Sequence, residues 1–189
     1  MGYFTVAGHF LLNTLFGLFI YAVLLRFLLQ QVRADFYNPV AQFLVSLTNP
    51  LLKPLRRITP GLFGIDMASI VLLVLLELVL QTLLALLLSQ PLTATLLLVK
   101  SFYGLLSSLL TLYLVAILVV VILSWVNPYP NPLSQLLGRI TQPLLRPARQ
   151  LLPTSGGGFD FSPMLVSLVL ILLQMAVPFL ERGTLELLR

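Results

Sequence analysis

The sequence predicts an all-α membrane protein with four transmembrane helices arranged as two parallel tandem repeats, each a span, an interfacial amphipathic segment and a second span. Composition is the first reason: 59% of the 189 residues are hydrophobic, only 9% are charged, and the mean hydropathy is +1.04. A soluble domain carries about 25% charged residues, so this chain would have too little polar surface to cover itself in water. The second reason is that apolar runs of about twenty residues recur, the length that crosses the hydrocarbon core of a bilayer. The third is a duplication. Residues 37–60, YNPVAQFLVSLTNPLLKPLRRITP, return ninety-three positions later as residues 130–153, PNPLSQLLGRITQPLLRPARQLLP. Both obey N-P-x-x-Q-x-L-x-x-x-T-x-P-L-L-[KR]-P-x-R-x-x-x-P without a gap, through Asn38, Pro39, Thr48, Pro50, Pro54 and Pro60 in one copy and Asn131, Pro132, Thr141, Pro143, Pro147 and Pro153 in the other. Self-similarity of this kind divides the chain into a first repeat, 1–90, and a second, 91–189.

The N-terminus, residues 1–9, lacks the basic region of a secretory signal, and the apolar run after it is too long for one, so it is expected to stay attached. The first span is expected over residues 10–29, interrupted by Asn13, Thr14 and Arg26, and at a rise of about 1.5 Å per residue it covers about 30 Å. The second, over 67–88, carries Glu77 and Gln81 and stops at Ser89-Gln90-Pro91, where proline ends regular helix. The third, over 97–125, is long enough to tilt or to project from the bilayer, and Asn127, Pro128 and Pro130 terminate it. The fourth, over 163–180, is the shortest, with Pro178 in its last turn and a small amphiphilic tail, 181–189, beyond.

A net charge of +5 and a sequence pI of about 10.0 would suggest nucleic acid in a soluble protein. Here the charges cluster at span ends instead, and no direct nucleic-acid binding is expected. Arg33, Lys53, Arg56 and Arg57 follow span one, and Arg139, Arg146 and Arg149 follow span three. The opposite side has Lys100, Arg182 and Arg189, the last two offset by Glu181 and Glu186. The positive-inside rule therefore predicts a multi-pass membrane protein with both repeated segments facing the cytoplasm, or its topological equivalent, and both termini on the opposite side. Each repeat contributes two spans, so the copies insert with one orientation, as parallel repeats about an axis along the membrane normal.

Within the repeated segment, Asn38 and Asn131 are placed to cap a helix whose first position is Pro39 or Pro132, where a missing donor costs nothing. Thr48-Asn49-Pro50 and Thr141-Gln142-Pro143 are expected to break that helix, and Pro54 and Pro147 to kink or shorten the second helical piece. In that piece Leu51, Leu52, Leu55 and Ile58 share an apolar face opposite Lys53, Arg56 and Arg57. Leu144, Leu145, Ala148, Leu151 and Leu152 likewise oppose Arg146, Arg149 and Gln150. These pieces are too short to span and are expected to lie in the interface. Their basic side chains read either as a docking face for anionic phospholipid headgroups or an acidic protein partner, at about 1 kcal/mol per residue near an anionic surface, or as ordinary positive-inside anchoring.

Asp66 and Asp160 precede spans two and four and are expected to be their N-caps, a carboxylate there satisfying free amides and the helix dipole; ion binding is the rarer alternative. Gly61, Gly64 and the glycines at 156–158 supply tight turns, and that run lacks the spacing and lysine of a phosphate loop. Arg26 lies about one turn from the end of its span and can snorkel, whereas Glu77 is about 15 Å deep. A pair between them would neutralise both, and Gln81 adds a polar group one turn from Glu77. Glu77 reads either as part of a structural polar clamp or as part of an ion or solute path using Arg26 and Gln81.

No cysteine and one histidine, His9, exclude thiolate chemistry, disulfides and Cys/His metal sites. No nucleophile motif, zinc-protease motif or paired-carboxylate site is present, so no enzyme, metal or cofactor is expected. The chain resembles the YggT family of small integral membrane proteins, also called YlmG-like. The resemblance runs through Leu25-Arg26, Asp35-Phe36-Tyr37-Asn38-Pro39, Thr48-Asn49-Pro50 and Pro54-Leu55-Arg56-Arg57. It continues in Ser124-Trp125, Pro143-Leu144-Leu145-Arg146-Pro147 and Gly158-Phe159-Asp160-Phe161-Ser162-Pro163. Ala148 and Gln150 depart from the Pro-[IL]-Arg-Arg of that family, which weakens the second basic face. The resemblance implies a bacterial inner-membrane protein whose relatives are linked to osmotic tolerance or cell division and, in plastids, to cytochrome complex maturation and nucleoid distribution; no reaction is established for that family. It suggests a non-enzymatic scaffold or assembly factor, with a transport or channel component as the competing class. Four spans bury little core, so association with a membrane protein partner or as a homo-oligomer is expected.

Overall fold

The computed structural model describes residues 2–59, 61–62, 64–126, 129, 131–151 and 160–188. Pro60 and Pro153 of the repeated pattern, Asn127, Pro128, Pro130, the glycines at 156–158 and Arg189 lie outside the described residues. Six helices occur in order among the described residues: α1 (Tyr3–Gln31), α2 (Pro39–Ile58), α3 (Met67–Leu87), α4 (Ala94–Val126), α5 (Pro132–Leu151) and α6 (Ser162–Leu187). Among them α1, α3, α4 and α6 are long and apolar enough to cross a membrane, while α2 and α5 are strongly amphipathic. In each repeat the two spans pack together with the amphipathic helix against both, α1–α2–α3 and α4–α5–α6. The repeats join through α3 and α1 against α4, with α5 also touching α1 and α2.

The spans outrun the sequence expectation at two ends. α1 begins at Tyr3 rather than at residue 10, and its 29 residues make about 44 Å of helix. α6 continues through Pro178 to Leu187 instead of stopping at residue 180. One missing amide does not end a helix that is held elsewhere: Val177 is buried, and Tyr103 Oη meets Thr184 Oγ1 across α4 and α6 at 2.8 Å. The expected amphiphilic tail is therefore the last turns of α6.

A larger correction concerns the repeated segment, where the expected proline breaks do not occur. α2 and α5 are each one continuous helix of 20 residues, with Pro50 and Pro54, or Pro143 and Pro147, inside it. The prolines are four apart and exposed, so the carbonyls they leave without an amide, those of Ser46 and Pro50 in α2, fall on the outer side of the helix. Thr48 and Thr141, expected at the break, are instead the centre of the buried face, both 0% exposed. Ala41, Leu44, Thr48 and Leu52 form one uninterrupted buried stripe, and Leu137, Thr141, Leu145 and Ala148 form its counterpart. Each threonine bonds back to its own helix, Thr48 Oγ1 to Leu44 O at 2.6 Å and Thr141 Oγ1 to Leu137 O at 2.9 Å. Burial of this stripe offsets prolines that would otherwise cost about 3 kcal/mol each. The apolar face is also narrower than expected, since Leu51, Ile58 and Leu151 are exposed while Leu52 and Leu145 are buried.

Both helices start on their asparagines. Asn38 Oδ1 accepts Val40 N at 2.9 Å, and Asn131 Oδ1 accepts Ser134 N at 2.8 Å while the Asn131 amide donates back to Ser134 Oγ at 3.1 Å. Pro39 and Pro132 take the first helical position, as their fixed φ favours. Leu52→Ala or Leu145→Ala is expected to lower stability by about 2–5 kcal/mol, and Ile58→Ala by less than about 0.5 kcal/mol, measured as shifts of the unfolding midpoint in mixed micelles.

Candidate functional site

The first repeat gathers its polar groups where α1, α2 and the start of α3 meet. Arg26 is 4% exposed, and its Nη1 donates to Val45 O at 3.3 Å, Thr48 Oγ1 at 2.5 Å and Asn49 Oδ1 at 3.0 Å. Thr48 stands between two partners, accepting from Arg26 and donating to its own helix. The pair between Arg26 and Glu77 considered from sequence does not form. Arg26 faces α2, whereas Glu77 faces α4, where its carboxyl lies against Gly104.

Two turns further along α2, Arg56 Nη2 makes an ion pair with Asp66 Oδ2 and reaches Gln30 Oε1 at 3.5 Å. Asp66 also accepts Ser69 Oγ at 2.9 Å. Asp66 occupies the N-cap position of α3, but its side chain makes no cap bond; its backbone carbonyl accepts Ser69 N at 3.1 Å and its carboxylate serves Arg56 and Ser69 Oγ. Burial alone would raise the Asp66 pKa, but the hydrogen bonds from Arg56 and Ser69 and the Arg56 charge outweigh it and hold the carboxyl below its ordinary value. A left-handed turn at Gly64, φ +81°, allows the tight reversal that brings Asp66 under Arg56. Arg26, Gln30, Arg56, Thr59 and Asp66 line the resulting cleft of about 560 Å³.

The second repeat rebuilds the ion pair with different walls. Arg149 Nε donates to Asp160 Oδ2 at 2.9 Å, and Asp160 Oδ1 accepts Ser162 N at 2.9 Å. Asp160 thus serves the first amide of α6 from one place upstream of the N-cap, Phe161. Desolvation opposes its ionisation, and the bonds from Ser162 and then Arg149 still keep its pKa below the ordinary value. Its cleft of about 590 Å³ is lined mainly by apolar groups, among them Ile117, Val121, Trp125 and Leu145. The position ninety-three after Arg26 is Val119, so the buried cation has no counterpart. Among the described residues no group of three or more His, Cys, Asp or Glu could hold a metal ion.

The two amphipathic helices meet at their starts, where Asn38 Nδ2 donates to Pro132 O at 2.8 Å. Arg139 Nη1 reaches Arg33 O at 3.4 Å. Lys53, Arg56, Arg57, Arg139, Arg146 and Arg149 are all exposed, but they divide in two: Arg56 and Arg149 are held by aspartates, while no ion pair is made by the others among the described residues. Gln81 Nε2 donates to Glu77 Oε1 at 2.9 Å within α3. The partners of Arg26 and the place of Gly104 were not recognised from sequence. Thr48 was visible within the repeated T-x-P motif, but only as a helix break, and a lone glycine in a span carries no pairing information.

A family model described as CCB3/YggT matches residues 6–87 and again 99–180. The chain belongs to the CCB3/YggT family. Relatives agree: an uncharacterized protein of Pseudomonas aeruginosa is 48% identical over 174 residues, covering 90% of this chain and 88% of the relative. The protein of Escherichia coli K12 named YggT is 37% identical over 176 residues, covering 93% and 91%. An uncharacterized protein of Vibrio alginolyticus is 38% identical over 154 residues, covering 78% and 81%. No solved structure matches the chain. This YggT-family chain is thus a multi-pass membrane-helical protein in two matched copies, of which the first carries the buried arginine.

Two outcomes are expected. Arg26→Gln leaves acceptors on α2 unpaired and lowers stability by about 2–3 kcal/mol, read from the unfolding midpoint. Asp66 and Asp160 have folded-state pKa values below the unfolded value of about 3.9, so the ion pairs contribute stability above about pH 4 that disappears as pH falls through the folded values. Asp66→Asn with Asp160→Asn flattens that acid limb of a stability–pH curve, with the buried Asp66 giving the larger share.

Proposed function

We propose that this YggT-family protein is a non-enzymatic scaffold or assembly factor of the bacterial inner membrane that docks anionic phospholipid, and through it membrane partners, on α2 and α5. The observation that carries this reading is the sorting of side chains on those helices. Their buried stripes seat against the spans, their six basic residues are all exposed, and Lys53, Arg57, Arg139 and Arg146 make no ion pair among the described residues. Exposed Leu47, Leu51 and Ile58 flank the basic side chains of α2, the arrangement of a helix lying among headgroups with its apolar edges at the acyl boundary. Arg56 and Arg149 act instead as positioning residues, clamping each amphipathic helix to the start of α3 or α6.

Orientation supports the same reading. The basic helices belong on the cytoplasmic side and both termini on the periplasmic side by the positive-inside rule, where the anionic leaflet attracts each exposed basic residue by about 1 kcal/mol. Among the described residues no catalytic constellation supports an enzyme. A scaffold of this kind suits envelope organisation or osmotic tolerance, the roles that the family resemblance implies.

Lys53→Gln, Arg57→Gln and Arg146→Gln combined are expected to reduce the enrichment of phosphatidylglycerol or cardiolipin around the purified protein by at least about tenfold, read by native mass spectrometry of protein exchanged into mixed-lipid nanodiscs. Unchanged enrichment in a folded triple variant would overturn the proposal.

A further inference from the structure

Lipid docking leaves one buried ionisable group without a task. Glu77 sits in the middle of α3 at 3% exposure, and the ion pairs formed among the described residues, Arg56 with Asp66 and Arg149 with Asp160, do not include it. Its carboxyl accepts one neutral donor, Gln81 Nε2. A charged carboxylate at such depth is expensive without a counter-charge.

Buried oxygens without a partner among the described residues stand on α4 and α6. A Cβ at Gly104 would overlap Glu77 Oε1, so a larger residue there requires the carboxyl to move from the α4 backbone. Ser101, 3% exposed and one turn earlier on α4, has no hydrogen-bond partner for its hydroxyl among the described residues. On α6, Gln174 donates its amide to Ser107 Oγ at 2.6 Å, which leaves Gln174 Oε1 buried and unpartnered. Pro178, four residues on, has no amide to give the Gln174 carbonyl. Gln81, Gly104, Ser107 and Pro178 line a cavity of about 310 Å³ between α3, α4 and α6. Lys100, Tyr103 and Glu181 are its other titratable neighbours. The Lys100 ammonium is held by Gln90 Oε1 at 2.8 Å, and Tyr103 is bonded to Thr184. These groups stand at the start of α4 and the end of α6, so the cavity reaches the end of the bundle that carries both chain termini.

We propose that Glu77 and this cavity bind one monovalent cation, a proton or Na⁺, admitted from the terminus-bearing end. The cation supplies the charge that Glu77 lacks, and Gln81 and Ser107, which line the cavity, supply neutral oxygen. Gln81 and Gly104 separate the carboxyl from the cavity, which makes Gln81 the residue a cation must pass. Arg26 takes no part, being spent on α2.

The test uses the full chain in nanodiscs with two readouts, saturable binding of radiolabelled Na⁺ and the infrared carboxylic-acid band followed from acidic to alkaline buffer. A Na⁺ site gives binding that choline does not displace; a proton site gives a titrating band component separate from those of Asp35, Asp66, Asp160, Glu181 and Glu186. Glu77→Gln is expected to abolish whichever signal is present. Gln81→Leu keeps the carboxyl but removes its donor, and is expected to shift the Na⁺ affinity or the apparent proton affinity by at least about tenfold. Absence of both signals in the unaltered chain, or a signal that survives in Glu77→Gln, overturns the proposal. If Glu77→Gln does not fold, an unshifted Gln81→Leu overturns it.

Discussion

A guanidinium buried at the junction of three helices organises the first half of this molecule. Among the described residues Arg26 makes no ion pair with a carboxylate, so its desolvation must be offset by acceptors held in place, and α2 provides a backbone carbonyl, a threonine hydroxyl and an asparagine amide oxygen within about one turn. Thr48 can serve only if α2 is helical from Leu44 to Thr48, because its hydroxyl is also committed to the Leu44 carbonyl. The cation therefore requires the helix to reach Thr48, and from there it continues through Pro50 and Pro54 to Ile58. Arg56 and Asp66 then tie the same helix to the start of α3. Each contact presupposes the others, which gives the first repeat a specific seat for its amphipathic helix.

The second repeat reaches the same architecture without the cation. Val119 replaces Arg26, Thr141 turns both its bonds back on its own helix, and the cleft beside Arg149 and Asp160 has apolar walls. What survives duplication is the ion pair between the last turn of the amphipathic helix and the loop before the next span. That pair fixes a position and leaves the outer face free. The copies consequently share a scaffold but differ in chemistry, one cleft polar and one apolar, and a symmetric ligand for the two is not favoured by their linings.

This division also separates positioning charges from available ones. Arg56 and Arg149 look equivalent in sequence to Lys53, Arg57 and Arg146, all exposed and basic on one helix face. Only the loops that carry Asp66 and Asp160 distinguish them. Removing an aspartate-held arginine disturbs the seating of a helix, whereas removing a free one changes the charge presented to the leaflet. Glu77 belongs to neither class, since its partner is a neutral amide and its neighbour a glycine.

The class, the four spans, the duplication and the asparagine caps were legible in the sequence, because each depends on local composition or on spacing within one segment. Apolar length alone predicts a span, and Asn-Pro predicts a helix start whatever packs against it. The continuity of α2 and α5, the partner of Arg26 and the close approach of Gly104 to Glu77 were not legible. Proline at Pro50 opposes helix by local rules, and only burial of Thr48 and Leu52 against neighbouring helices outweighs it. Arg26 and Glu77 have opposite charge and invite pairing on paper, yet the rotation of their helices points one at α2 and the other at α4. Tertiary structure decided these features because each is a competition between a local preference and a contact made by residues distant in the chain.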